Sequence, residues 1–122
     1  TITGLRELVE REWLEAGHQF ALRLGHGLPL NRLKLSGTGM VINWLQNDQE
    51  CSEFCPIFPQ FLHALRSLVA QHSQSFGYTE GALARLADEA FNRNTRLFTG
   101  NCAKERRLCL ADWQAFWDTL PR

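Results

Sequence analysis

The sequence predicts an all-α fold, about four helices with one long irregular insertion. Three observations carry that expectation. Apolar residues recur near the helical period in four separate stretches. No stretch sustains the alternation of a half-buried strand. Glycine, proline, asparagine and aspartate gather in one interval, residues 28 to 54.

The first stretch predicts a long helix from Thr3 to Leu24. Leu5, Leu8, Val9, Trp13, Ala16, Phe20 and Leu24 form its apolar stripe. Arg6/Glu10, Glu7/Arg11 and Arg11/Glu15 place opposite charges four apart on an exposed face. Gly25 and Gly27 are its stop signal. In the interval 28 to 54, Met40 to Leu45 reads as a short strand or one helical turn. The rest is long for a connection, so it is either functional or mobile.

Pro56 suits the first turn of a second helix, whose stripe is Phe58, Phe61, Leu62, Leu65, Leu68 and Val69. Thr79 is the expected N-cap of a third, with Leu83, Leu86, Ala87, Ala90 and Phe91 on one face. Trp113, Phe116, Trp117 and Leu120 make a short aromatic stripe in the fourth, with Asp112 near its start.

Charge narrows the function classes. Lysine plus arginine equals aspartate plus glutamate, 13 of each, so no global field points to nucleic acid or to an anionic membrane. Phosphate recognition, if present, must be local. No apolar run approaches the ~20 residues of a membrane helix. Cys51, Cys55, Cys102 and Cys109 read as reduced thiols of a cytosolic protein. The opening Thr-Ile-Thr-Gly, without methionine, reads as cut from a longer chain.

Chemistry-bearing constellations are few. A cysteine phosphatase needs an arginine six residues after its thiolate, so that loop amides and guanidinium share the phosphate. Ile57, Phe61, Leu108 and Ala115 stand at those positions, and none serves. The cysteines and His18, His26, His63 and His72 lack the spacing of a zinc ribbon or finger, so no metal is expected. Lys104-Glu105-Arg106-Arg107 reads as a solvated helix end. Gln19 and Arg23, four apart beside His18, share a helix face. They are either a helix-end pair, with the arginine favouring the dipole, or two side chains reaching toward a phosphate.

The stretch Gly4 to Leu14, with Gly17-His18, Phe20 and Arg23-x-Gly25-His26, resembles the block that follows the catalytic loop in the myotubularin family. Pro56-Ile57-Phe58 with Gln60-Phe61-Leu62, Phe76 to Glu80, and Leu97 to Cys102 with Glu105-Arg106 are similar to later family segments. Leu110 to Trp117 is loosely similar to the segment that closes them.

The resemblance covers about three-quarters of the chain. It implies the helical C-terminal part of a larger α/β cysteine-based phosphatase domain, spanning residues 1–122 with a loop insertion at about 28–54. Such a domain removes the 3-phosphate from phosphoinositides through a cysteinyl-phosphate, without metal or other cofactor. Its Cys-x5-Arg loop would precede Thr1, so the chain is expected not to be catalytic by itself.

Two basic positions of the family's long helix help hold substrate phosphate. Arg23 matches one; Gln19 stands where the other is arginine. The alternative is a pseudophosphatase or all-α interaction module that regulates a partner. The partner implied is a phosphoinositide headgroup bound by the parent, with peripheral contact at endomembranes from a cytoplasmic protein. Four tryptophans, eight phenylalanines and the leucine stripes exceed what four helices should cover, which predicts a homo-oligomer.

Overall fold

The computed structural model describes residues 1–26, 34–35, 42–43, 55–92, 97–98, 100–107 and 110–121. The described elements are helical except for one minimal ladder. Helix α1 spans Ile2–Val9. Thr1 caps it, the hydroxyl accepting the Gly4 N–H at 3.1 Å, which satisfies one first-turn donor. Leu5 and Val9, one turn apart, are its buried face.

The helix widens into a π turn, Glu10–Glu15, and then stops. The continuous helix to Leu24 is therefore corrected. Gly17 turns left-handed at φ 85°. Its N–H and that of His18 bond back to the carbonyls of Leu14 at 3.2 Å and Trp13 at 3.0 Å. This is a Schellman ending, which uses the orphaned last carbonyls and redirects the chain. A one-turn helix, α2 (Phe20–Arg23), follows and ends the same way. Gly25 has φ 65°, and the N–H groups of Gly25 and His26 bond to Leu22 at 3.3 Å and Ala21 at 2.9 Å. Both Gly-His pairs thus mark helix ends, at 17–18 and at 25–26.

Strands β1 (Lys34–Leu35) and β2 (Ile42–Asn43) pair antiparallel, Lys34 opposite Asn43 and Leu35 opposite Ile42. This settles the strand reading for Ile42 and Asn43. The remaining expectations for 28 to 54 lie outside the described residues.

Helix α3 (Ile57–Gln71) starts at Pro56 and buries Phe58, Leu62 and Val69. A 3-10 turn, Ser73–Ser75, leads toward α4 (Glu80–Phe91), which packs on α3 through Leu83, Leu86, Ala87 and Ala90. Thr79 caps α4 as expected, its Oγ1 accepting the Ala82 N–H at 3.3 Å. An Arg66–Glu80 pair at 2.8 Å spans the two helices, but both partners are exposed and contribute little. Helix α5 (Ala103–Arg106) is a single turn, and α6 (Leu110–Asp118) closes the chain.

Aromatic rings join these helices. Phe20, fully buried, meets His18 at a centroid distance of 4.7 Å, Phe98 at 4.9 Å and Phe58 at 5.0 Å. Trp13 adds edge contacts to Phe58 at 4.9 Å and His18 at 5.0 Å. Edge-to-face geometry aligns ring quadrupoles and adds to the burial itself. Phe98 hands the cluster on to Trp113 at 5.5 Å, and so to Phe116 and Trp117.

The α6 stripe expected to seek a second copy is thus covered by the chain itself. Trp113, Phe116, Trp117 and Leu120 are all buried. The Trp113 indole N–H also donates to Glu10, and Glu10 accepts from Arg6 Nε at 2.7 Å. Arg6 reaches Gln114 at 2.6 Å, so α1 and α6 are tied side by side. The α6 stripe is therefore part of this chain's own core. Among the described residues, the exposed large hydrophobics are Leu8, Leu22, Ile57 and Leu68.

Gly17 offers a clean test of the break. A Cβ there meets nothing within 4 Å, so substitution carries no clash. Gly17→Ala should still cost about 1–2 kcal/mol, the penalty of a left-handed L-residue. Gly17→Asn should recover part of that loss, because asparagine tolerates the conformation. Urea denaturation of the two variants against the parent chain measures both.

Candidate functional site

Gln19 and Arg23 lie at the two ends of α2. Gln19 is its N-cap residue, and its carbonyl accepts the Arg23 N–H at 2.9 Å, closing the turn. Gln19 is exposed and Arg23 half-buried. The two therefore share one helical turn, as the spacing predicts, but that turn is separate from α1.

One turn of helix does not hold itself, because nucleation costs more than a single turn returns. Five long-range bonds hold this one and the chain on either side of it. The third-position N–H of α2, on Leu22, would be an orphan; Asn101 Oδ1 accepts it at 3.1 Å. At the other end the Arg23 carbonyl accepts the Cys55 N–H at 2.9 Å. Ahead of the turn, Arg106 donates to the His18 carbonyl at 2.6 Å and to Leu14 at 2.9 Å. The His26 Nε2–H donates to the Ala90 carbonyl at 2.8 Å, fastening the α2 ending to α4.

Arg106 also donates to the Gly100 carbonyl at 2.9 Å, and its guanidinium carbon lies 5.5 Å from the Phe20 ring centroid. The group is half-buried, and loss of water pushes its pKa down, while Cys102 and Glu105 oppose that shift. The reading of Arg106 as part of a solvated helix end is corrected: it is half-buried, and two of the three carbonyls it answers, those of Leu14 and His18, are far away in sequence. Gly100 permits this closeness. A Cβ on Gly100 would lie 3.0 Å from Arg106 Cγ and 3.1 Å from Glu105 Cβ. Glu105 accepts the Asn101 N–H at 2.7 Å, which fixes the residue that holds Leu22.

His18 sits between these groups. Burial lowers its pKa first, and the charges of Arg23 and Arg106 lower it further. Its Nε2 is buried with no hydrogen-bond partner among the described residues. Burial and the two guanidinium groups thus act in the same direction and favour the neutral imidazole.

Chemically, the charged and titratable groups gathered here are the guanidiniums of Arg23 and Arg106 and the His18 imidazole. Cys55 and Cys102 are free thiols outside any Cys-x5-Arg arrangement. Asn101 and Arg106 did not stand out in the sequence as site residues. The one available signal was the family-like stretch Leu97 to Cys102 with Glu105-Arg106.

The chain matches the family model of the myotubularin-like phosphatase domain over residues 1–107. It is 32% identical over 106 residues to phosphatidylinositol-3,5-bisphosphate 3-phosphatase MTMR8 of Homo sapiens, covering 87% of this chain and 12% of that protein. It is 31% identical to the Caenorhabditis elegans enzyme of that description, MTMR6, over 88% of the chain and 14% of the relative. Myotubularin-related protein 9 of Caenorhabditis elegans is 32% identical over 88% of the chain and 16% of its own length. The chain thus spans 12–16% of these relatives. No solved structure matches.

The His18 environment gives a pH dependence with a definite sign. Its folded pKa lies below the ordinary 6.5. Below that value the unfolded chain binds a proton that the folded chain resists, so folding stability falls with pH. Above it the contribution is flat. Urea midpoints measured from about pH 7.5 down to about pH 5 should decline, and His18→Gln should lessen the slope.

Proposed function

We propose, from the premise that this chain belongs to the myotubularin-like phosphatase domain family, that its α2 turn contributes to a phosphoinositide headgroup site. In this reading the chain is the helical flank of a phosphatidylinositol 3-phosphatase-like protein and is not catalytic alone. Arg23 supplies a guanidinium to the lipid's phosphate, and Gln19 supplies a neutral amide beside it. The supporting observation is the turn itself. Both residues whose positions match the family's phosphate-contacting pair stand on one helical turn, and distant side chains fix that turn.

A second reading has its own support. Gln19 replaces a basic residue, which removes one charge-assisted fork to phosphate. That favours a pseudophosphatase flank that binds weakly and regulates a partner. Among the described residues no helix is long and apolar enough to cross a membrane, so membrane contact in either reading is peripheral. A cytoplasmic location belongs to the same proposal.

Two measurements test the phosphate reading. The chain alone should release no phosphate from a short-chain phosphatidylinositol 3-phosphate. Turnover lost on replacing any one cysteine would overturn that. In an active longer protein, Arg23→Ala should lower kcat/KM by about 1.5–3 kcal/mol, the scale of a hydrogen bond to a charged group. An unchanged kcat/KM with intact folding would reduce Arg23 to a helix-end cation.

A further inference from the structure

We propose that Asn101 and Arg106 are positioning residues for the Gln19–Arg23 turn. They set anion recognition without touching the anion. This rests on the reading of Arg23 as a phosphate ligand.

The argument begins with the weakness of α2. It has four residues, and its ends lie between two left-handed glycines, at 17 and 25. Each glycine is a pivot about which the turn could rotate against α1 and α3. The buried Phe20 anchors its middle, but an aromatic contact is broad and sets direction loosely. Hydrogen bonds set direction more sharply, because they weaken steeply away from linearity.

Two such bonds come from the Asn101–Arg106 stretch. Asn101 Oδ1 fixes the Leu22 N–H, adjacent to Arg23. Arg106 fixes the His18 carbonyl, adjacent to Gln19. Each residue thus acts one peptide away from a proposed ligand. Its partners within the stretch are fixed too. Glu105 holds the Asn101 N–H, and the Gly100 carbonyl holds Arg106. The fork geometry matters, since Arg106 reaches Leu14, His18 and Gly100 at once. A lysine carries its three donors on a single nitrogen at the end of a flexible stem and cannot reproduce the spread of the fork. A ligand held to within a fraction of an ångström depends on such support.

The test uses this chain and dibutanoyl phosphatidylinositol 3-phosphate, followed by amide chemical shifts in a titration. Asn101→Ala and Arg106→Lys should each weaken binding about fivefold, the ratio supplied by one ordinary hydrogen bond. Asn101→Ala should also speed amide exchange at Leu22 while α4 amides keep their protection. In an Arg23→Ala background Asn101→Ala should not weaken binding further, because it acts through Arg23. A merely structural role would not show that dependence. Absence of binding by the unaltered chain, or wild-type affinity in Arg23→Ala, overturns the phosphate reading and this inference with it. If Arg23→Ala weakens binding but Asn101→Ala does not, the positioning role alone is overturned. A loss on Asn101→Ala that persists undiminished in the Arg23→Ala background overturns it too. Should Arg106→Lys not fold, Asn101→Ala decides, since it removes one exposed bond and leaves the three-carbonyl fork in place.

Discussion

The guanidinium of Arg106 is the tie on which the rest of the described architecture depends. It answers carbonyls from the end of the π turn, from His18 ahead of α2, and from the loop before α5. Leu14 and His18 lie 92 and 88 residues from Arg106 in sequence. Burying part of a guanidinium is costly unless its donors are used, so the three bonds and the Phe20 face must form together. Its Nε finds no partner among the described residues, so satisfaction is incomplete there. The consequence is cooperative. The stretch from Gly100 to Arg106 orders the first helix's ending, and that ending gives the stretch its docking place.

The paired Gly-His endings explain why such a tie is needed. Each reverses the helix through a left-handed glycine and returns the histidine N–H to the preceding turn. The motif frees the chain to bend twice within the stretch from Trp13 to His26, while keeping its terminal carbonyls occupied. It also leaves α2 short. Side chains from elsewhere then supply what a longer helix would have supplied by itself. Asn101 does so at the start of α2, and the Cys55 backbone does so at its end.

Much of this was legible in the sequence where the determinants are local. The caps and stripes of α3 and α4 follow from Pro56, Thr79 and apolar spacing, and the structure has them there. The break at Gly17 was not legible from spacing. Trp13, Ala16, Phe20 and Leu24 keep helical intervals, and the same residues serve two helices as readily as one. Nor was the inward turn of Arg106 legible. Its neighbours Lys104 and Glu105 are exposed, so local composition describes a surface, and the partners that draw it in are distant. For Gln19 and Arg23 the spacing gave the shared turn, and only the family resemblance gave a reason to connect it with phosphate.

The C-terminal helix adds a last step. All of it lies beyond the matched range of residues 1–107, yet it completes the same core. Trp113 packs on Phe98 and donates to Glu10, so α6 reads the exposed face of α1 and the aromatic cluster together. Glu10 accepts from both Arg6 and Trp113, which neutralises a carboxylate that would otherwise be costly beside buried rings. The aromatic stripe that the sequence offered as a surface for a partner is instead the lid of the chain's own core. With that face covered, the α2 turn is held from across the core by Asn101 and Arg106. In the proposed reading an anion meets a turn whose direction those bonds have already fixed.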